Sequence, residues 1–190
     1  MTPNRIRSVY STALRRFGRD DRGVSAVEFA LLLPLLLTLW LGGIEVSQAV
    51  SADRKTMLIA HTVGDLVAQS TSVTDTDMTN ILSATSAVAY PFPASNLKVT
   101  VSSVAIDANQ KATVVWSDTQ SGTKRTGDVT TLIPLALRTA STTLIWAEAS
   151  YSYTPTIGYV ITGALTMNDK IFLRPRLNAC VLRPPTVTAC

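Results

Sequence analysis

Histidine occurs once in the 190-residue chain, at His61, and cysteine twice, at Cys180 and Cys190. A structural zinc site takes about four nitrogen or sulfur ligands, so this set is too small and too scattered to build one. No phosphate-binding glycine loop and no nucleophile elbow occurs in the sequence. His61 has Asp65 on one side and Asp53 on the other, but on an amphipathic helix a solvated or packed side chain explains it without a catalytic dyad. The expectation is a protein that is not an enzyme, with no catalytic residue, no metal, no cofactor and no small-molecule substrate. Internal repeats and long low-complexity tracts are absent as well.

Net charge is also missing from most of the chain. The formal charge is +4, and it sits entirely in the first 23 residues. Arg5, Arg7, Arg15, Arg16, Arg19 and Arg22 stand there against Asp20 and Asp21, so of the 17 basic and 13 acidic residues, eleven of each sign remain beyond Gly23. A basic leader points to anionic lipid heads and the cytoplasmic face of a membrane. It does not point to a nucleic-acid-binding surface, and none is expected.

Val24 to Ile44 reads VSAVEFALLLPLLLTLWLGGI. As a helix this stretch spans roughly 31 Å, enough to cross a hydrocarbon core. Arginines before it, and no comparable cluster after it, place the N-terminus in the cytoplasm and the rest of the chain outside. Glu28 is out of place in so apolar a run, because an ionised group there costs at least ~2–3 kcal/mol unless it finds a partner or the headgroups. Pro34 removes one backbone hydrogen bond and is expected to kink or loosen the helix. Gly42-Gly43 allows close helix approach or marks the outer boundary.

Three fates are open to such an N-terminus. It stays as a signal anchor; it is cut by signal peptidase after Val50-Ser51-Ala52, before Asp53; or it is cut on the cytoplasmic side, ahead of the apolar run. Arg22-Gly23 followed by Val24, Ser25, Ala26, Val27, Glu28 and Phe29 resembles a prepilin peptidase site. The continuation AVEFALLLPLLLTLWLGGIEVSQAV resembles the TadE-like family, whose pattern Arg22, Gly23, Glu28, Phe29, Pro34, Gly43, Ile44 and Glu45 match. The likeness covers roughly residues 16–68, and the overall layout is similar to longer TadE/TadG-type proteins. The Phe172-Leu173-Arg174-Pro175-Arg176 ending with terminal cysteines is also similar to such proteins.

The resemblance implies a processing site at Gly23, Val24, Glu28 and Phe29. Cleavage after Gly23 frees the α-amine of Val24, and the Glu28 carboxylate then pairs with the amine of a neighbouring subunit as helices bundle. Such pairing sets register more than it adds stability. Prepilin peptidase, other pilin-like subunits and the inner-membrane pilus machinery are the implied partners, together with the membrane itself.

Beyond the anchor, Val46, Val50, Met57, Ala60, Val63 and Val67 recur every three to four residues, which predicts that the helix continues outward as an amphipathic stalk over Glu45 to Gln69. Thr74-Asp75 before Asp77-Met78 predicts a capped second helix that ends before Pro91 and Pro93. Leu97–Val104 alternates with period two, Ala112–Trp116 is β-branched and Asn109 marks a turn, which predicts a hairpin. Ser121–Asp128 reads as a polar loop and Leu132–Arg138 as a short helix or irregular segment. Thr142–Tyr153 predicts a central antiparallel strand, followed by a strand pair from Tyr159–Gly163 and Lys170–Leu173. In an oxidising compartment Cys180 and Cys190 would close a small loop, contributing ~2–3 kcal/mol.

The fold class expected is α+β: a long N-terminal transmembrane helix continuing as a stalk and packed on a small antiparallel sheet. The organisation expected is a cytoplasmic leader at 1–23, a membrane helix at 24–44 and a periplasmic ectodomain at 45–190. The function expected is that of a minor pilin or pseudopilin of a tight-adherence pilus system, single-pass in the inner membrane. The rival reading is a secreted or anchored extracytoplasmic adhesion module outside any pilus.

Overall fold

In the computed structural model, residues 22–155 and 163–188 are described. Helix α1 covers Arg22–Ala68 and contains Pro34. The chain divides into two units, Met1–Ile44 and Glu45–Cys190. The described part of the first unit is the beginning of α1; everything that follows concerns the second unit until the anchor is taken up again.

The second unit holds the remainder of α1, helix α2 (Asp75–Ala89) and strands β1 (Leu97–Ile106), β2 (Ala112–Gln120), β3 (Thr142–Tyr153) and β4 (Leu165–Leu173). The strands form one antiparallel sheet in the order β2-β1-β3-β4. The α+β class and the helix packed on a small antiparallel sheet are therefore as expected from the sequence.

Helix α2 starts where its cap dictates. Thr74 Oγ1 accepts the Asp77 N–H, and the Asp77 carboxylate accepts the Thr74 N–H in return. This reciprocal pairing satisfies two donors that a helix start otherwise leaves open. The two hydrogen bonds from Thr74 hold the Asp77 carboxyl below its usual range. The helix stops ahead of Pro91, whose ring does not fit a continuing helix.

The sheet is covered on both faces. Ile59, Ala60, Val63 and Val67 of α1 and Met78 and Leu82 of α2 pack with Leu97, Val99, Val101, Ile145, Ala147 and Ala149 to form the larger core. Gly64 is the point of closest approach: a Cβ there would lie 3.2 Å from Ala147 Cβ, Ile171 Cγ2 and Leu173 Cδ1. On the opposite face Val104, Ile106, Ala112, Leu144 and Trp146 pack with Val129 and Ile133. Those last two come from the segment after β2, which makes short 3-10 turns at Thr130–Leu132 and Leu135–Leu137. The expected short helix or irregular stretch at Leu132–Arg138 is thus two turns separated by Ile133-Pro134.

A bulge in β2 lets that strand serve both cores. Ser103 pairs with Trp116 and Val104 with Val114, so Val115 has no opposite residue. Side chains on a regular strand alternate faces, and one extra residue inverts the sequence of faces beyond it. Val114 consequently lies against the smaller core and Trp116 in the larger one. From there the Trp116 indole N–H donates to the Val181 carbonyl at 2.9 Å.

Two strand expectations need correction. The second strand of the hairpin does not end at Trp116 but runs to Gln120, because Ser117, Asp118, Thr119 and Gln120 all find partners on β1. Of the expected pair, Lys170–Leu173 falls within β4, which begins earlier, with Leu165 opposite Tyr153 and Leu173 opposite Ile145; the other expected strand, Tyr159–Gly163, lies almost wholly outside the described residues.

The C-terminal segment closes the unit. The Leu182 N–H donates to the Thr71 carbonyl and the Val73 N–H to the Leu182 carbonyl, both at 3.0 Å. The Arg176 N–H donates to the Ala68 carbonyl at 2.8 Å. Val181 and Cys180 are buried there.

Candidate membrane anchor and assembly segment

The first part of α1 is apolar, and among the described residues nothing covers it. Phe29, Leu31, Leu35, Leu39 and Trp40 are all exposed, Leu31 to 75%. A soluble protein does not leave a contiguous surface of this kind open to water. By length and composition the helix is sufficient to cross a membrane, and none of its most apolar window is buried. The observations fit a membrane anchor.

Glu28 lies in this exposed run. Among the described residues it has no hydrogen-bond or ion-pair partner. Val24 stands one helical turn before it on the same face. A Cβ built at Gly23, Gly42 or Gly43 would meet no atom within 4 Å, so no packing inside this chain requires glycine at those positions. Pro34 sits within the helix, where its missing N–H leaves the carbonyl one turn earlier without its usual donor. Thr38 Oγ1 donates to the Leu35 carbonyl at 2.8 Å, just after it.

His61 is exposed on α1. Asp65, the acid in sequence reach of it, is already taken by Arg176 and by Gln69. An acid held by a guanidinium is poorly placed to orient an imidazole. Among the described residues no group of three His, Cys, Asp or Glu side chains could hold a metal ion. Arg174 donates to Thr139 at 2.7 Å and Arg176 pairs with Asp65. Cys180 is buried and is not a free thiol; Cys190 lies outside the described residues.

Two polar clusters went unnoticed in the sequence. Arg125 grips Glu148 through both Nε and Nη2 at 2.8 Å with its guanidinium 4.9 Å from the Trp146 ring centre. The hydrogen bonds to Glu148 raise the already high Arg125 pKa. Arg183 of the tail reaches Asp118 at 2.7 Å and Asp75 at 2.6 Å. Burial pushes the Asp118 carboxyl up, and hydrogen bonds from Arg183 and Lys124 outweigh it, so the group sits below its usual range. Neither cluster carries a spacing signal, because the partners are far apart in sequence.

No curated protein and no solved structure matches the chain. The family model described as TadE-like protein matches residues 23–61, which makes the apolar helix, from the glycine ahead of it to His61 on its packed continuation, a TadE-like segment.

Proposed function

We propose that the chain is a minor pilin or pseudopilin of a tight-adherence pilus system, inserted in the inner membrane and cut by prepilin peptidase after Gly23. The observation that carries the reading is a lone carboxylate, Glu28, in an exposed apolar helix within a TadE-like segment. Gly23 offers a peptidase a backbone without Cβ hindrance, and Phe29 follows Glu28 in the motif. The freed ammonium of Val24 and the carboxylate of Glu28 on a neighbouring subunit neutralise each other as helices bundle. Pro34 loosens the helix where it must adapt to neighbours.

In this reading the leader 1–23 stays cytoplasmic, residues 24–44 cross the membrane and 45–190 form the periplasmic part. Cys180 and Cys190 form a disulfide in that oxidising compartment. The role is assembly without catalysis. Release by signal peptidase after Ala52 is disfavoured by the burial of Ala52 in α1 at 2% exposure, since cutting there would sever a helix packed into the core.

The test is the N-terminal residue of protein purified from host membranes, read by terminal peptide mass spectrometry. Val24 as the first residue supports the proposal. A start at Asp53, or an intact leader, overturns it.

A further inference from the structure

The cover over the smaller core is partial. Val129 and Ile133 pack with Leu144 and Trp146 of β3, and the next residues of that strand on the same face are Glu148 and Ser150. Ser150 stands between Lys98 of β1 and Asn168 of β4, and Glu148 between Thr100 and Lys170. Beyond Trp146 the face is therefore two rows of three polar side chains in register. Asp169 is opposite Ala149, which belongs to the larger core, so its side chain points to the other face.

The segment 121–125 forms a wall beside this floor and is fastened to the sheet. Ser121 takes a positive φ of 57°, and the Gly122 N–H donates to Thr119 Oγ1 at 3.1 Å. A Cβ on Gly122 would lie 2.6 Å from that oxygen and 2.8 Å from Thr100 Oγ1, so glycine is what lets the loop down this far. The Arg125 N–H donates to Ser117 Oγ at 3.0 Å, which delivers the guanidinium to Glu148. Between the wall and β4 lies a groove of about 930 Å³, large enough for a small ligand.

Arg125 and Glu148 neutralise each other. Lys98 and Lys170 are both exposed, and among the described residues neither makes an ion pair or a hydrogen bond. Lys170 Nζ has the Phe172 ring as its neighbour, 6.0 Å from the ring centre. The two lysines stand two strands and two residues apart, roughly 12 Å between Cα atoms. The groove thus carries two uncompensated ammonium groups among hydroxyls and an amide.

We propose that this groove binds an acidic carbohydrate, a short chain of sugar rings bearing carboxylates, with Lys98 and Lys170 each holding one acid group. Charge-assisted bonds to the two ammonium groups supply attraction. Thr123, Ser150 and Asn168 both donate and accept, as sugar hydroxyls do. A peptide added as a strand along β4 would meet Lys170 and leave Lys98 two strands away, whereas a chain lying across the strands meets both. The wall is pinned in place before the ligand arrives, so little ordering is required on binding. Glu148 is held by Arg125 and is not free for acid–base work, so the site binds without catalysis. It lies wholly in the second unit and does not depend on how the apolar helix is used.

The test titrates the full chain in phosphatidylcholine nanodiscs with a linear tetramer of galacturonic acid, followed by isothermal calorimetry. Binding is expected, and Lys98→Gln and Lys170→Gln should each weaken it about tenfold. Both side chains are exposed, so these replacements leave the core intact. Lys111→Gln, at the other end of the sheet and paired with Asp128, should change nothing. Maltotetraose, which has the hydroxyls without the acid groups, should bind about a hundredfold more weakly, one factor of ten for each lost charge pair. No binding of the acidic tetramer overturns the inference. Equal weakening by all three lysine replacements also overturns it, because the attraction would then be unspecific. Tetraglutamate bound as tightly through the same two lysines would overturn it as well and make an acidic protein segment the occupant.

Discussion

Arg183 donates its Nε–H to Asp118 at 2.7 Å, joining the C-terminal tail to the strand that carries the bulge. The same guanidinium reaches Asp75 at the start of α2 and the Val73 carbonyl. The arginine side chain is only 8% exposed, so removing it leaves Asp118 without its main compensation. We expect Arg183→Ala to destabilise the second unit by about 3 kcal/mol, the low end for a broken buried pair because Asp75 is largely exposed. Arg183→Lys should recover little, since an ammonium cannot reproduce the fork. Thermal unfolding of the full chain in detergent, followed by near-ultraviolet circular dichroism, measures both; an unchanged midpoint in Arg183→Ala would refute the role.

Acid should weaken the same junction. The folded-state pKa of Asp118 is depressed, so its contribution is complete above the unfolded value of about 3.9 and is lost as pH falls through the lower folded value. The unfolding midpoint should therefore be level near neutral pH and drop below about pH 4. Asp118→Asn should start lower at neutral pH and lose less on acidification. Parallel profiles for the two proteins would count against this assignment.

Gly64 should tolerate no branched side chain. Three atoms already lie 3.2 Å from where its Cβ would be, one of them on a strand in the middle of the sheet. Gly64→Val is expected to cost about 1–3 kcal/mol by overpacking, and more than Gly64→Ala, which brings only the Cβ into this space. Denaturant midpoints of the two variants decide the order.

Glu28→Ala should abolish pilus assembly while leaving membrane insertion and the unfolding midpoint of the second unit as they are. Glu28→Gln should fail as well, since the interaction proposed is with a charge and not a hydrogen-bond donor. Counting pili on host cells that carry each variant gives the answer, and normal numbers in Glu28→Ala would end the amine-pairing idea.

Reduction should loosen the tail. If Cys180 and Cys190 are bonded, Cys190→Ser should cost about 2–3 kcal/mol, and dithiothreitol should lower the wild-type midpoint without affecting that variant. A non-reducing peptide map in which the two cysteines label as free thiols would rule the bond out.

The parts of this fold that were legible in the sequence are those encoded by neighbours along the chain. The apolar run, the Thr74 cap and the alternation of Leu97–Val104 each depend on residues within a turn or a strand of one another. The bulge was not legible because Val114 and Val115 are both β-branched, and nothing local says which of them lacks a partner. The Arg183 cluster was hidden for a different reason: its acids are 65 and more than 100 residues away. Polar Asn168-Asp169-Lys170 disguised the first half of β4, whose pairing is fixed by the length of β3 and not by its own pattern. In the proposed processing site, the spacing of Gly23, Glu28 and Phe29 is visible in the sequence alone, whereas the packing of Phe92 on Tyr151 and Tyr153 was not legible because those rings come from elsewhere in the chain.

The indole of Trp116 faces the tail only because the strand carries an extra residue at Val115. Without that insertion the ring would sit on the other side, and Val181 would have no donor to close upon. Trp116 thus becomes a checkpoint for completeness: a polypeptide stopped before Val181 presents a large ring and an unanswered N–H where a finished one presents a sealed seam. Proteases that act on exposed hydrophobic surface would remove the short product and spare the whole one, and a chain terminated after Ala179 should show a shorter lifetime in pulse-chase labelling.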